Sequence, residues 1–302
     1  SIRQPAALCG VVGVKPSWGR VSRSGLVAFG SSLDQVGPIA SDVAGASALL
    51  DVIAGSDPLD ATSRTEAYEP ADLSDLDEST PLRIGLPKEY LDELSDEARS
   101  VLDTALSKLS GVELLPISLP HSRFSIATYY VLASAEASSN LARFDGVRYG
   151  QRRGESEDGL DALYRRSRTE GFGDEVQRRI LLGTFVLSAG YYDAYYGKAQ
   201  AARRVIREDF EQAWDDVDFV VSLTAPTTAF PLGAKADDPL SMYLSDIFTV
   251  PASLAGIPAM TLPIGDDELG LPWGLQIIAP DGAEAAMLRF AARVENALEG
   301  LK

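Results

Sequence analysis

The sequence holds one cysteine, Cys9, and one histidine, His121, among 302 residues. A single cysteine excludes an internal disulfide, and the two counts leave a zinc site built from His and Cys almost without ligands. A Ser-His-Asp relay would have to run through His121, which sits in Leu119-Pro120-His121-Ser122 and reads as a surface residue of a loop. Lysine is scarce as well, at six of the 27 basic residues. No apolar run approaches the roughly 20 residues that cross a bilayer. No basic stretch followed by an apolar one marks a secretory signal near the start. These absences point to a cytoplasmic protein without a membrane role.

Acidic residues are abundant: 44 Asp and Glu give a net charge of −17 and a pI near 4.5. Such a surface repels phosphate backbones, so broad nucleic-acid binding by this chain is excluded. An acidic, lysine-poor surface suits high salt, where the Debye length falls to about 3 Å at 1 M and self-repulsion is screened. We therefore expect a halophile-like protein. Hydrophobic residues make up 45%, enough for a sizeable core.

Residues 8–30 are rich in Gly and Val and read as packed strand and turn. Asp42–Ala54 has helical spacing, with Ser41 as N-cap and Gly55 as stop. Residues 56–82 read as a long exposed connection, least regular in the acidic stretch near 70–80. Leu82–Leu86 predicts a strand, Ser95–Ser110 a helix closed by Gly111, and Val112–Leu119 a second strand. Residues 124–142 and 174–214 are mainly helical. Asp218–Ser222 is a short buried strand, and Met242–Ala255 is helical despite Pro251. Ala259–Ile264 and Trp273–Ala279 are strands flanking the turn Gly265–Glu268, and Glu284–Leu298 is a closing helix. Strands alternating with helices give an α/β fold.

The residues alone offer no complete catalytic set. Ser1 and Arg3 read as loop residues. Tyr129-Tyr130 and Tyr191–Tyr196 read as packing clusters. Arg178-Arg179 reads as a solvated helix face, and Asp246 as a carboxylate near the start of a helix, where the dipole favours it.

Longer motifs add a resemblance. Ser1-Ile2-Arg3-Gln4-Pro5-Ala6, with Cys9-Gly10 and Lys15-Pro16, resembles the end of the amidase signature, whose glycine- and serine-rich stretch closes on Gly-Gly-Ser-Ile-Arg. Gly19-Arg20-Val21-Ser22-Arg23, Ser31-Ser32-Leu33-Asp34-Gln35, Glu136–Gly150, Leu187–Tyr196, Ala225–Phe230 and Asp238–Tyr243 follow in order. Together they resemble the A subunits of glutamyl/aspartyl-tRNA amidotransferases within that family, over residues 1 to about 296.

The resemblance implies an amidase signature fold: a mixed β-sheet covered by helices on both faces (α/β/α). It implies one amidase domain over 1–302, incomplete at its N-terminus, with a helix-rich region at about 120–215. Ser1 falls at the nucleophile of a Ser–cis-Ser–Lys triad. The Lys, the cis-Ser and the oxyanion-hole glycines belong to an upstream part of roughly a hundred or more residues, so this chain alone is expected to be inactive. Arg179 would hold the carboxylate of glutamine, Asp246 its ammonium, and Tyr130 would touch it nearby; Arg178 and Asp238 are rival positions. Arg3 and Gln4 would shape the loop behind the nucleophile, and Cys9 would pack structurally. The implied function is that of a glutaminase supplying ammonia for converting Glu-tRNA(Gln) or Asp-tRNA(Asn) to the amidated form. No cofactor or metal is expected in this chain. ATP and Mg would belong to the B subunit of a heterotrimer, which also grips the tRNA, and a small C subunit would brace the assembly. The other readings are a stand-alone amidase acting on small amides and a non-catalytic binding chain.

Overall fold

In this computed structural model the described residues are 1–74, 76, 81–154, 159–235 and 238–298. The chain divides into two compact units. The first comprises 1–24, 35–126 and 203–302, and the second 25–34 and 127–202.

The first unit holds a seven-stranded mixed sheet, β1 (Val12–Lys15), β2 (Ile39–Ala40), β3 (Leu82–Pro87), β4 (Val112–Ile117), β5 (Phe219–Leu223), β6 (Ala259–Asp266) and β7 (Pro272–Ile278). Its order is β2-β1-β6-β7-β5-β3-β4. The β3–β4 and β3–β5 pairs are parallel and the other four antiparallel. The first of these parallel pairs needs a crossover, which helix α4 (Asp96–Leu106) supplies.

Side chains alternate across a strand, so each strand carries two programmes. On one face Val12, Val14, Val221, Leu223, Met260, Leu262, Leu275 and Ile277 are buried in a single apolar core. That core includes residues of α2 (Val43–Ile53), α4 and α11 (Glu284–Leu298). The alternate positions are small or polar: Gly13, Ser222, Thr261, Gly274 and Gln276, the three polar ones fully or almost fully buried. Here α1 (Arg3–Leu8) is seated. A Cβ on Gly13 would stand 2.7 Å from Ala6 Cβ, and one on Gly274 would stand 2.5 Å from Ala7 Cβ. Glycine on the sheet and alanine on the helix thus permit an approach that larger side chains forbid.

Several boundaries differ from the sequence expectation. Asp42, not Ser41, caps α2, its carboxylate accepting from Gly45 N at 2.6 Å; a charged acceptor is the stronger partner for the free amides. The helix α4 ends at Leu106, short of Ser110, and β4 ends at Ile117. The region 242–255 is not one helix. It is α9 (Pro239–Leu244) and α10 (Val250–Ala255), with Pro251 in the first turn of the latter, where a missing N–H costs nothing. Two short helices, α1 and α3 (Lys88–Leu91), were not legible from periodicity. Residues 56–74 form an irregular connection, tied by Arg20 Nη1 to Glu66 O at 3.0 Å and Arg64 Nε to Trp18 O at 2.8 Å. Residues 75 and 77–80 of the acidic stretch lie outside the described residues.

The second unit is helical, built from most of α5 (Ser125–Asn140), α6 (Gly159–Gly171), α7 (Asp174–Val186) and the start of α8 (Lys198–Ala213). The mainly helical region expected over 174–214 comprises two helices, separated by a turn and a π-helical segment, Asp193–Gly197. The helices α5 and α7 meet at Gly183, where an added Cβ would lie 1.9 Å from Ser134 O.

Candidate functional site

Ser1 is exposed and lies just before α1. The segment after it is fixed from three sides. The Arg3 side chain is buried, donating to Gln276 Oε1, to Thr249 O at 2.7 Å and to Ser253 Oγ at 3.0 Å. Gln276 in turn donates to Ser222 Oγ at 3.1 Å and Phe248 O at 2.9 Å, so a strand residue links α1 to the segment between α9 and α10. Gln4 donates to Ser245 O at 2.8 Å. Ile2 lies over two glycines: a Cβ on Gly13 would meet Ile2 O at 3.1 Å, and one on Gly37 would meet Ile2 Cδ1 at 2.9 Å and Val14 O at 2.1 Å.

Burial lowers the Arg3 pKa to about 10, while the charges of Tyr90 and Asp246 act to raise it. Arg3 therefore stays a cation at neutral pH. Asp246 lies in the bend after α9, half-buried, rather than at the start of a helix as the sequence suggested. Its position follows from Pro251, which starts a new helix instead of continuing the old one. Asp246 O accepts from Val250 N at 3.1 Å and Thr249 Oγ1 at 3.1 Å, tightening that bend. Lys15 is buried and donates to Ile257 O at 2.6 Å, Pro16 O at 2.9 Å and Gln35 Oε1 at 3.1 Å. Burial and then the Arg3 charge pull its pKa well down. Its Nζ is nevertheless surrounded by three acceptors, two of them main-chain carbonyls. Lys15 is thereby committed to holding backbone.

Tyr130 and Arg179 both belong to the second unit, on α5 and α7. The Arg179 guanidinium carbon lies 5.3 Å from the Tyr130 ring centre and 5.8 Å from that of Phe29. Its Nε donates to Glu175 Oε1 at 2.9 Å and its Nη1 to Tyr129 OH at 3.4 Å. Burial lowers the Arg179 pKa, but the bonds to Glu175 and Tyr129 raise it more, and the net direction is up. The rival Arg178 differs: its side chain is 62% exposed and pairs with Glu175, at 2.6 Å. Asp238 is exposed and serves as the N-cap of α9, accepting from Ser241.

A further expectation changes. Cys9 is exposed rather than packed. His121 is tethered, its Nδ1 lying 2.8 Å from Asp209 Oδ1 and its backbone N donating to Asp209 Oδ2 at 2.8 Å. The Tyr191–Tyr196 stretch is largely exposed, with Tyr191 and Tyr195 against Phe185 at 4.4 and 6.0 Å. Sequence reasoning missed Phe29, Glu175 and Gln276. For Gln276 a signal existed: an uncharged polar residue in the middle of the apolar run Trp273–Ala279.

Among the described residues, no helix is long and apolar enough to cross a membrane. The Amidase family description matches residues 1–288. The chain is 54% identical over 302 residues to the glutamyl-tRNA(Gln) amidotransferase A subunit of Koribacter versatilis, covering 99% of this chain and 62% of that protein. Against the A subunit of Acidobacterium capsulatum it is 55% identical over 300 residues, covering 98% and 63%. The chain thus spans less than two-thirds of the length of these relatives. The crystal structure of the glutamyl-tRNA(Gln) amidotransferase A subunit from Thermotoga maritima superposes with a TM-score of 0.78 at 39% identity, covering 98% of this chain and 60% of that one. The peptide amidase of Stenotrophomonas maltophilia superposes with a TM-score of 0.76 at 27% identity, covering 100% and 61%. By its sequence over residues 1–288 and by the fold of its mixed sheet, the chain belongs to the amidase family.

Proposed function

We propose that this chain is part of a glutamine-hydrolysing amidase, the A subunit of a tRNA-dependent amidotransferase. The observation that carries the reading is the setting of Arg179, a half-buried guanidinium held against two rings, with Nη2 lacking a hydrogen-bond partner among the described residues. An enzyme for neutral amides has no use for such a group; glutamine brings a carboxylate that a guanidinium binds as a fork. Asp246 supplies the opposite charge for the substrate ammonium, and Tyr130 borders the substrate.

Ser1 Oγ attacks the side-chain amide carbon of glutamine. Its proton passes to a lysine base, relayed by a second serine, both from the remainder of the complete protein. A serine hydroxyl is a weak nucleophile without such a base. Backbone donors stabilise the oxyanion, ammonia departs carrying the relayed proton, and water cleaves the acyl ester to release glutamate. The ammonia then serves the B subunit, which activates the aminoacyl-tRNA with ATP and Mg, with the C subunit bracing the pair in the cytoplasm. The names of the relatives favour Glu-tRNA(Gln) as acceptor over Asp-tRNA(Asn).

The test is substrate discrimination in the complete, partnered enzyme. Arg179→Met and Asp246→Asn should each weaken glutamine use, since a bond to a charged group contributes about 1.5–3 kcal/mol, or roughly 10- to 150-fold. Hydrolysis of butyramide, which lacks both charged groups, should hold. Equal losses on both substrates would overturn the reading and favour a stand-alone amidase.

A further inference from the structure

The Arg179 guanidinium touches a ring that comes from neither α5 nor α7. Phe29 belongs to the short segment 25–34, the only part of the second unit outside 127–202. That segment is bound at both ends of the Phe29 peptide. Phe29 N donates to Asp34 Oδ2 at 2.9 Å, and Phe29 O accepts from Asn140 Nδ2 at 2.9 Å. Asn140 also donates to Ser31 Oγ at 2.9 Å. Glu136, one turn earlier on α5, accepts from Ser32 N at 2.9 Å and Ser32 Oγ at 2.7 Å. Four bonds from two side chains of one helix face hold Phe29, Ser31 and Ser32, Gly30 N between them donates to Asp34 Oδ1 at 3.1 Å, and the same helix carries Tyr130.

We propose that Phe29–Ser32, pinned by Glu136 and Asn140, is a specificity element for amides of α-amino acids, with Phe29, Glu136 and Asn140 as positioning residues for Arg179. This rests on Arg179 receiving the substrate carboxylate. The two rings and the bonds from Nε and Nη1 leave the guanidinium little rotational freedom, so its remaining N–H edge has one direction. Preorganisation of this kind raises affinity by removing the ordering cost from the binding step. It also lowers competing hydration of the cation, because ring faces replace water. The loop thereby acts on binding of the charged end of the substrate and not on the reacting amide.

The experiment uses the complete, partnered enzyme with Phe29→Leu, Phe29→Tyr, Glu136→Gln and, as reference, Arg179→Met. Kinetics are measured on glutamine and on butyramide. Phe29→Leu and Glu136→Gln should raise KM for glutamine about five- to tenfold, the range of a partly desolvated cation–ring contact. Their kcat should stay within about twofold and butyramide hydrolysis should be unchanged, while Phe29→Tyr, which keeps the ring, should restore KM. If Arg179→Met raises KM for glutamine but Phe29→Leu and Glu136→Gln do not, the loop assignment is wrong and the carboxylate reading stands. Equal loss on both substrates would make the loop merely structural and also overturn the proposal. If Arg179→Met itself leaves glutamine KM unchanged, the underlying reading fails first.

Discussion

Gly183→Ala tests how closely the two helices of the second unit must approach. In an open helix this change stabilises by about 1 kcal/mol, because glycine is the poorer helix former. At Gly183 the new methyl would sit 1.9 Å from Ser134 O and 2.8 Å from Ser138 Cβ. Ordinary contact is about 3.4 Å or more, so α7 must withdraw from α5 by roughly 1.5 Å. Overpacking of this size costs typically 1–3 kcal/mol, which outweighs the propensity gain. The consequence reaches the site along both helices. Arg179 is one turn before Gly183 on α7, and Tyr130 one turn before Ser134 on α5, and these two now stand 5.3 Å apart. Withdrawal carries that separation beyond the roughly 6 Å at which a cation still interacts with a ring. Unfolding midpoints in urea and glutamine KM report the two effects separately. Gly183→Ala should lower the midpoint and raise KM. Gly171→Ala, where an added Cβ meets nothing within 4 Å, should do neither. A Gly183→Ala protein with unchanged midpoint and unchanged KM would refute the reasoning.

Other perturbations probe the remaining supports. Arg3→Met should cost about 2–4 kcal/mol in urea unfolding, because Gln276 Oε1 and Thr249 O lose their donor in a buried site; Arg3→Lys should recover little, since one ammonium cannot span three acceptors in that fork. The Asp60 carboxyl is held at about 2 by bonds from Thr62 and from Arg23 N. A depressed carboxylate contributes stability that is full above the unfolded value of about 3.9 and is lost as pH falls through the folded one. The stability difference between the parent and Asp60→Asn should therefore be constant from neutral pH to about 5, then shrink towards pH 2; a difference that grows on acidification would contradict it. With a net charge of −17, the unfolding midpoint should rise from low to molar KCl; a midpoint independent of salt would remove the halophile-like reading.

Most of the sheet was legible because its strands carry local signals. Val112–Ile117 follows a left-handed glycine, Gly111 at φ +62°, and α4 begins at a serine cap, Ser95, that accepts from Ala98 N at 3.2 Å. Such elements are set by their own residues. The helix α1 was not legible, because six residues are too few to show a period; contact with Gly13 and Gly274 sets it. The split between α9 and α10 was signalled by Pro251 but overridden by the apolar spacing around it. The site was less accessible still. Arg178 and Arg179 are neighbours with the same charge, and periodicity could not say which faces rings supplied by α5 and by residue 29. The resemblance singled out Arg179, and the geometry gives a physical difference between the two: 62% against 19% side-chain exposure. Phe29 and Glu136 were beyond reach because their relation to Arg179 exists only once a segment far away in sequence is folded against α5.

The central claim is that glutamine acylates one hydroxyl. The complete, partnered enzyme, quenched in acid during turnover with glutamine and digested, should yield by mass spectrometry a glutamyl ester on the peptide containing Ser1, and Ser1→Ala should abolish both adduct and ammonia release. An adduct on another residue, or undiminished ammonia from Ser1→Ala, would contradict the account.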